Sequence, residues 1–301
     1  MADQIELVVP SSLDGARVDK ALAELLDVSR ASASVVVDSG IEVDGHPARA
    51  SDRVTGGQVI RCRPPEEASG LSAEDLDFSV LYGDDHVIVV DKPAGFVVHP
   101  GSGRARGTLA AGLLARFPEL EGVGAPERWG LVHRLDKDTS GAILVARTSE
   151  AFDFLTSELR GRRIGRTYTA LVEGRLGAPT GTIDAPIGRD PIHPTRRAVT
   201  HGGKQARTHY SVSRYYEEAD ASLLEVRLET GRTHQIRVHL SAIDHPVAGD
   251  VIYGATRKDL GVPRTFLHAS RLDFTHPDSG EGMSVEAPLP TELATVLGHL
   301  S

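Results

Sequence analysis

A single cysteine, Cys62, occurs in 301 residues. That scarcity excludes an intramolecular disulfide and any multi-thiolate zinc site within one chain, and a reducing, cytoplasmic setting is expected. Long apolar runs are missing too. Stretches such as Val87 to Val90 fall far short of the ~20 residues that cross a bilayer, and the opening MADQIELVVP carries no basic export-type region. No membrane association is expected. There is no collagen-like period, low-complexity block or internal repeat, while 40% hydrophobic and 25% charged residues suit a globular protein of one large and one small domain.

Several catalytic signatures are also absent. No HExxH pattern occurs, and His234 and His239 stand five apart, which does not place them on one helical face, so no metal is expected. The loop from Gly101 to Gly107 matches neither the Walker nor the dinucleotide spacing and reads as a flexible connection. Ser140-Gly141 lacks the spacing of a nucleophile elbow.

The formal charge is −9, which argues at first against a nucleic-acid partner. Its distribution reverses that impression. Between Arg160 and Arg207 ten Lys and Arg residues face three acids, a local +7 that leaves −16 for the rest, and this predicts a polyanion-binding surface.

Residues 1–63 read as a small unit. Val18, Leu22, Leu25 and Leu26 recur at helical spacing, and Ser29 can cap a second helix carrying Val35 and Val36, which Gly40 would end. Ile41 to Val43, then Asp44-Gly45, predict a strand entering a hairpin turn, with Gln58 to Arg63 as the closing strand. Residues 64–75 read as a linker, and residues 76–301 as the larger domain. In the latter, strands are expected at Val87 to Val90, Ala142 to Ala146, Thr167 to Val172 and Leu224 to Leu228. Helices are expected at Ser149 to Arg160 and after Thr233, the latter with Thr233 as its cap and with an alternating strand as the alternative.

The densest polar cluster is His133-Arg134-Leu135-Asp136-Lys137-Asp138-Thr139-Ser140-Gly141, directly before an apolar strand. Loops anchored to the core in this way hold catalytic groups rigidly. Asp136 lies between two cations, which favour a charged carboxylate. It could serve as a nucleophile, a general base or an ion-pair partner.

That cluster, together with Asp84 to Gly95, Arg166-Thr-Tyr168 and Gly231-Arg-Thr-His-Gln-Ile-Arg237-Val-His239, resembles in order and spacing the motifs of the RluA/RluD family of RNA pseudouridine synthases. The resemblance spans residues 78 to 290, and the segments Ala198 to Lys204 and Thr208 to Tyr210 lean toward the RluD large-subunit rRNA type. The first 63 residues resemble an S4 RNA-binding module, although with seven basic and ten acidic groups they are poorer in positive charge than such modules usually are. The resemblance implies an α+β fold, with the small module followed by a catalytic domain on a central mixed, mostly antiparallel sheet. It further implies Asp136 as the catalytic aspartate, Tyr168 packed against the target base and Arg237 paired with the aspartate. No cofactor is implied. Arg134 is the expected wedge replacing a flipped nucleotide. Arg160, Arg162, Arg163 and Arg166 are expected on phosphates, with Arg17 and Arg30 of the first module also contacting RNA, while His133 is expected to orient its loop. The expected partner is large-subunit ribosomal RNA or a pre-ribosomal particle, acted on by a monomer. Alternatives are a tRNA synthase of the same family and an RNA-binding assembly factor.

Overall fold

A computed structural model describes residues 4–26, 30–63, 73–99, 107–124, 128–193, 195–255 and 257–300. The expected Ser29 cap, the Gly101–Arg106 stretch and the expected linker up to Ser72 lie outside the described residues, as does the Arg30 side chain. The chain divides into two compact units, Met1–Ser72 with Pro100–Arg106, and Ala73–His99 with Gly107–Ser301.

The first unit contains β1 (Ile5–Val8), α1 (Val18–Leu25), α2 (Arg30–Asp38), β2 (Glu42–Val43), β3 (His46–Pro47) and β4 (Val59–Cys62). Its sheet has the order β1-β4-β2-β3, antiparallel throughout. Helical spacing puts Val18, Ala21 and Leu22 of α1 on one buried face, against Val36, Ile41 and Ile60. The hairpin forms at Asp44-Gly45, both with positive φ (49° and 79°), as a two-residue turn matched to strand twist requires. Asp44 then fixes the turn to β4, its carboxylate accepting from Val59 N–H at 2.9 Å and Gln58 Nε2 at 3.0 Å. Gly40, at φ 96°, follows α2 in the left-handed conformation.

The second unit runs β5 (Ser79–Gly83), β6 (Val87–Lys92), α3 (Leu109–Arg116), β7 (Ser140–Ala146), α4 (Ser149–Arg160), β8 (Gly165–Glu173) and β9 (Thr180–Asp184). It continues with β10 (Ile187–Arg189), β11 (Arg197–Val199), β12 (Arg207–Tyr216), β13 (Ala221–Leu228), α5 (Gln235–Ala242), β14 (Leu267–Thr275), β15 (Gly282–Glu286) and α6 (Thr291–His299). A nine-stranded sheet has the order β5-β6-β7-β14-β8-β13-β12-β9, with β15 also paired to β14. β7 and β14 run parallel; the other pairs are antiparallel. The protein is therefore mixed α+β and rich in sheet.

Every residue of β7 is buried, which explains its unbroken apolar sequence: a strand covered on both faces has no polar side to show. β7 can approach β14 because Gly141 has no side chain. A Cβ there would stand 2.2 Å from the Ala269 carbonyl oxygen, and φ is +112°. Helix α4 begins where Thr148 accepts from Ala151 N–H at 3.1 Å, a side-chain cap. The expected cap at Thr233 is not found. α5 starts one residue later, after His234 in the left-handed conformation (φ 58°), without a side-chain cap. Contacts of the His234 ring, described below, outweigh the capping preference of a threonine.

Candidate active site

The loop that carries Asp136 is held from beneath. Lys92, at the end of β6 and fully buried, donates to the carbonyls of Pro93 (2.8 Å), Phe96 (3.0 Å) and Lys137 (3.1 Å). Gly95 N–H donates to the same Lys137 oxygen at 2.8 Å. Burial draws the Lys92 ammonium down to about 7, with the Asp138 charge opposing. On the other side of the loop, Ser140 Oγ donates to His268 Nδ1 (2.9 Å), whose Nε2 donates to Ala287 O at 3.2 Å. Arg264 donates to Asp138 O at 3.0 Å and to Ser140 Oγ at 2.9 Å. His133 is buried, and its Nε2 accepts from Leu144 N–H of β7 at 3.1 Å. Burial first, then the Arg166 charge, pushes it down to about 3, so this histidine is neutral and tethers the loop to the sheet.

Asp136 and Tyr168 line one cavity of about 480 Å³, and Arg237 reaches into the same site. Arg237, on α5, donates through Nε to Asp250 at 2.5 Å and through Nη2 at 2.9 Å. Its remaining Nη1 reaches Asp136 at 3.3 Å. Burial alone would weaken this cation, but the hydrogen bonds and charge of Asp250, then those of Asp136, hold its pKa above the ordinary guanidinium value. His234 completes the surround. Its Nδ1 is 2.7 Å from the Tyr253 hydroxyl, and its Nε2 lies 4.0 Å from Asp136. Burial lowers its pKa, against the pull of Asp136. Tyr168 is buried on β8, and that burial raises its phenol to about 12, so it acts as a neutral ring. Asp136 thus accepts from an arginine that Asp250 anchors, with an aromatic surface in the same cavity.

The other residues singled out in the sequence are dispersed. Arg134 and Arg160 are exposed at the cavity lining. Arg162 lines it too but pairs with Glu229 at 3.0 Å. Arg163 pairs with Glu158 and lies outside the cavity lining. Arg166 is buried inside the cavity rather than displayed on the surface. Arg17, in the first unit, pairs with Asp19 at 3.1 Å. Among the described residues no group of three or more metal-ligating side chains occurs. No helix of the described residues is long and apolar enough to cross a membrane.

Two residues of the site escaped the sequence reading. Asp250, 1% exposed, binds Arg237 more closely than Asp136 does. Tyr253, three residues on, has the Arg237 guanidinium 5.0 Å from its ring centre while its hydroxyl positions His234. Nothing in local spacing marks either one.

Comparison with known proteins identifies the relatives of the chain. The family model described as RNA pseudouridylate synthase matches residues 86–242, just over half of the chain. The chain is 46% identical to the ribosomal large subunit pseudouridine synthase D of Nitrosomonas europaea, over 97% of this chain and 87% of that protein. It is also 46% identical to an uncharacterized RNA pseudouridine synthase of Chloroflexus aurantiacus, over 99% and 94%. Among solved structures, human RNA pseudouridylate synthase domain containing 1 superposes with a TM-score of 0.58 at 28% identity, covering 76% of this chain and 96% of that one. Similarity so close over nearly the whole length turns the motif resemblance into membership: the chain belongs to the RluA/RluD family of RNA pseudouridine synthases and is an enzyme of that kind.

Proposed function

We propose that the protein converts uridines of large-subunit ribosomal RNA to pseudouridine, with Asp136 as the attacking carboxylate. The observation that carries this reading is one carboxylate, oriented by Arg237, sharing a cavity with the buried ring of Tyr168. The reaction breaks the N1–C1′ bond, turns the base and joins C1′ to C5. N1 gains a proton and the C5 proton leaves, so substrate and product are isomers and no oxidant or group donor enters the balance. Asp136 either adds covalently to the nucleoside or removes a sugar proton on the way to a glycal. In both routes Arg237 steadies its charge while Tyr168 packs against the detached base.

Names carried by similar proteins support ribosomal RNA as the substrate, and with it a cytoplasmic place of action. The target must leave its stack at a cost of roughly a few kcal/mol, and exposed Arg134 is the proposed wedge filling the gap. Arg160, with Arg162 and Arg163 once their carboxylates yield, would hold phosphates at the cavity mouth. The first unit, with Arg17 and Arg30, is read as an S4-type module that delivers the enzyme to the ribosomal substrate.

Tritium release from RNA labelled at uridine C5 tests the proposal, using protein-free large-subunit rRNA, assembled particles and tRNA. Wild type is expected to release tritium from rRNA, and Asp136→Asn to release none. Turnover of tRNA alone would overturn the ribosomal assignment, and release by Asp136→Asn would overturn the nucleophile. A chain beginning at residue 73 is expected to keep turnover of short stem-loops and lose its preference for the ribosomal substrate.

A further inference from the structure

Two arginines whose side chains lie largely out of solvent are well supplied with acceptors. Arg237 has Asp250 and Asp136, and Arg264 has three carbonyls, Ser140 and Glu292. Arg166 departs from that pattern. It is 6% exposed, its Nε is buried without an acceptor, and among the described residues no carboxylate comes within ion-pair distance of it. A buried cation left in that condition costs free energy, and native structures rarely tolerate it without a use.

Its position indicates the use. Arg166 and Tyr168 lie two residues apart on β8, so their side chains leave the same face about 6.6 Å apart along the strand, and both line the cavity. A single nucleotide can span that distance. The acids of the cavity lining are engaged elsewhere: Asp136 with Arg237, and Glu229 with Arg162, Arg207 and His209. Room for the guanidinium comes from Gly231, where a Cβ would stand 2.6 Å from Arg166 Nη1. Uracil and ribose are neutral, so the anion a target uridine brings into the cavity is its own phosphate.

We infer that Arg166 is the internal receptor for a phosphate of the flipped target nucleotide, so that the site selects a phosphodiester-linked uridine over the free nucleoside. The inference rests on the reading that a uridine of RNA is the substrate. It sets Arg166 apart from the arginines at the mouth, which meet the RNA backbone wherever it passes. Arg166 is a positioning residue: it fixes the ribose over Asp136 without touching the reacting atoms.

The test is a short RNA turned over by wild type, with a neutral methylphosphonate in place of the phosphate 5′ or 3′ to the target. One of the two replacements is expected to lower kcat/KM of wild type roughly 10- to 100-fold, the range of one charge-assisted hydrogen bond. Arg166→Met is expected to show a similar loss on unmodified RNA and no further loss on that methylphosphonate. Arg166→Lys should recover part of the activity. Gly231→Ala, which pushes the guanidinium aside while retaining it, should mimic Arg166→Met and serves if that variant fails to fold. Losses that multiply, or a wild type indifferent to both methylphosphonates, would overturn the role of Arg166 while leaving the synthase intact. A wild type silent on every unmodified RNA would overturn the substrate reading and the role of Arg166 with it.

Discussion

At the residue scale, Asp250 carries more of the site than its distance from Asp136 in sequence suggests. It takes two of the hydrogen bonds of Arg237 and leaves one nitrogen for Asp136 at 3.3 Å. The guanidinium is thereby held chiefly by Asp250, and Asp136 keeps lone pairs that the arginine does not occupy. Asp250→Ala removes one member of a buried charge pair and is expected to cost about 3 kcal/mol of stability, read from urea unfolding, along with a large loss of tritium release. Asp250→Asn should fall between that variant and wild type in both measurements. Such a residue is not visible in sequence. Asp136, Tyr168 and Arg237 were legible because each stands in a distinctive local motif, whereas Asp250 acquires its meaning only when the turn after α5 folds back over the helix.

Elements were legible where burial is uniform or alternates cleanly. Helix α4 spans the expected residues because Phe152, Leu155 and Leu159 form a stripe and Thr148 offers a cap. Strand β7 was plain from its apolar run. The start of α5 was not, since the left-handed His234 is held by Tyr253, a contact nineteen residues away. The basic segment from Arg160 to Arg207 was found as a count of charge, but a count does not reveal pairing. Arg162, Arg163 and Arg207 each meet carboxylates, and Arg166 is inside. The parallel join of β7 and β14 carries a prediction at this scale. Gly141→Ala forces a Cβ against the Ala269 carbonyl in a backbone conformation that side chains avoid, and is expected to lower both the unfolding midpoint and the activity. Gly177→Ala, with nothing within 4 Å of the added carbon, should change neither.

Across the whole molecule, buried histidines set the response to acid. Burial is the leading cause that lowers the pKa of His133 (to about 3), His99 (to about 4), His234, His239 and His268. In the unfolded chain these groups take up protons near 6.5, so below that pH the unfolded state binds more protons than the native one. Their contribution is present in full above pH 6.5 and is lost as the pH falls toward 3. Lys92 acts in the same sense over a higher window, between about 7 and its unfolded value near 10.4, again favouring the native state as pH rises. The urea midpoint is therefore expected to drop steadily from pH 7.5 to 4.5, and His268→Gln should flatten part of that slope. A midpoint independent of pH over this range would contradict the burial of these rings.

The pairing of Ser140 with His268 joins residues 128 positions apart. Loop closure over that distance is slow and can occur only once the later strand exists. During synthesis, the first unit and the strands up to β13 can fold while Asp136 still lacks its seat, because β14 has yet to emerge. A growing chain thus carries most of its sheet before its candidate site is complete, and the site is assembled late, with the docking of one strand.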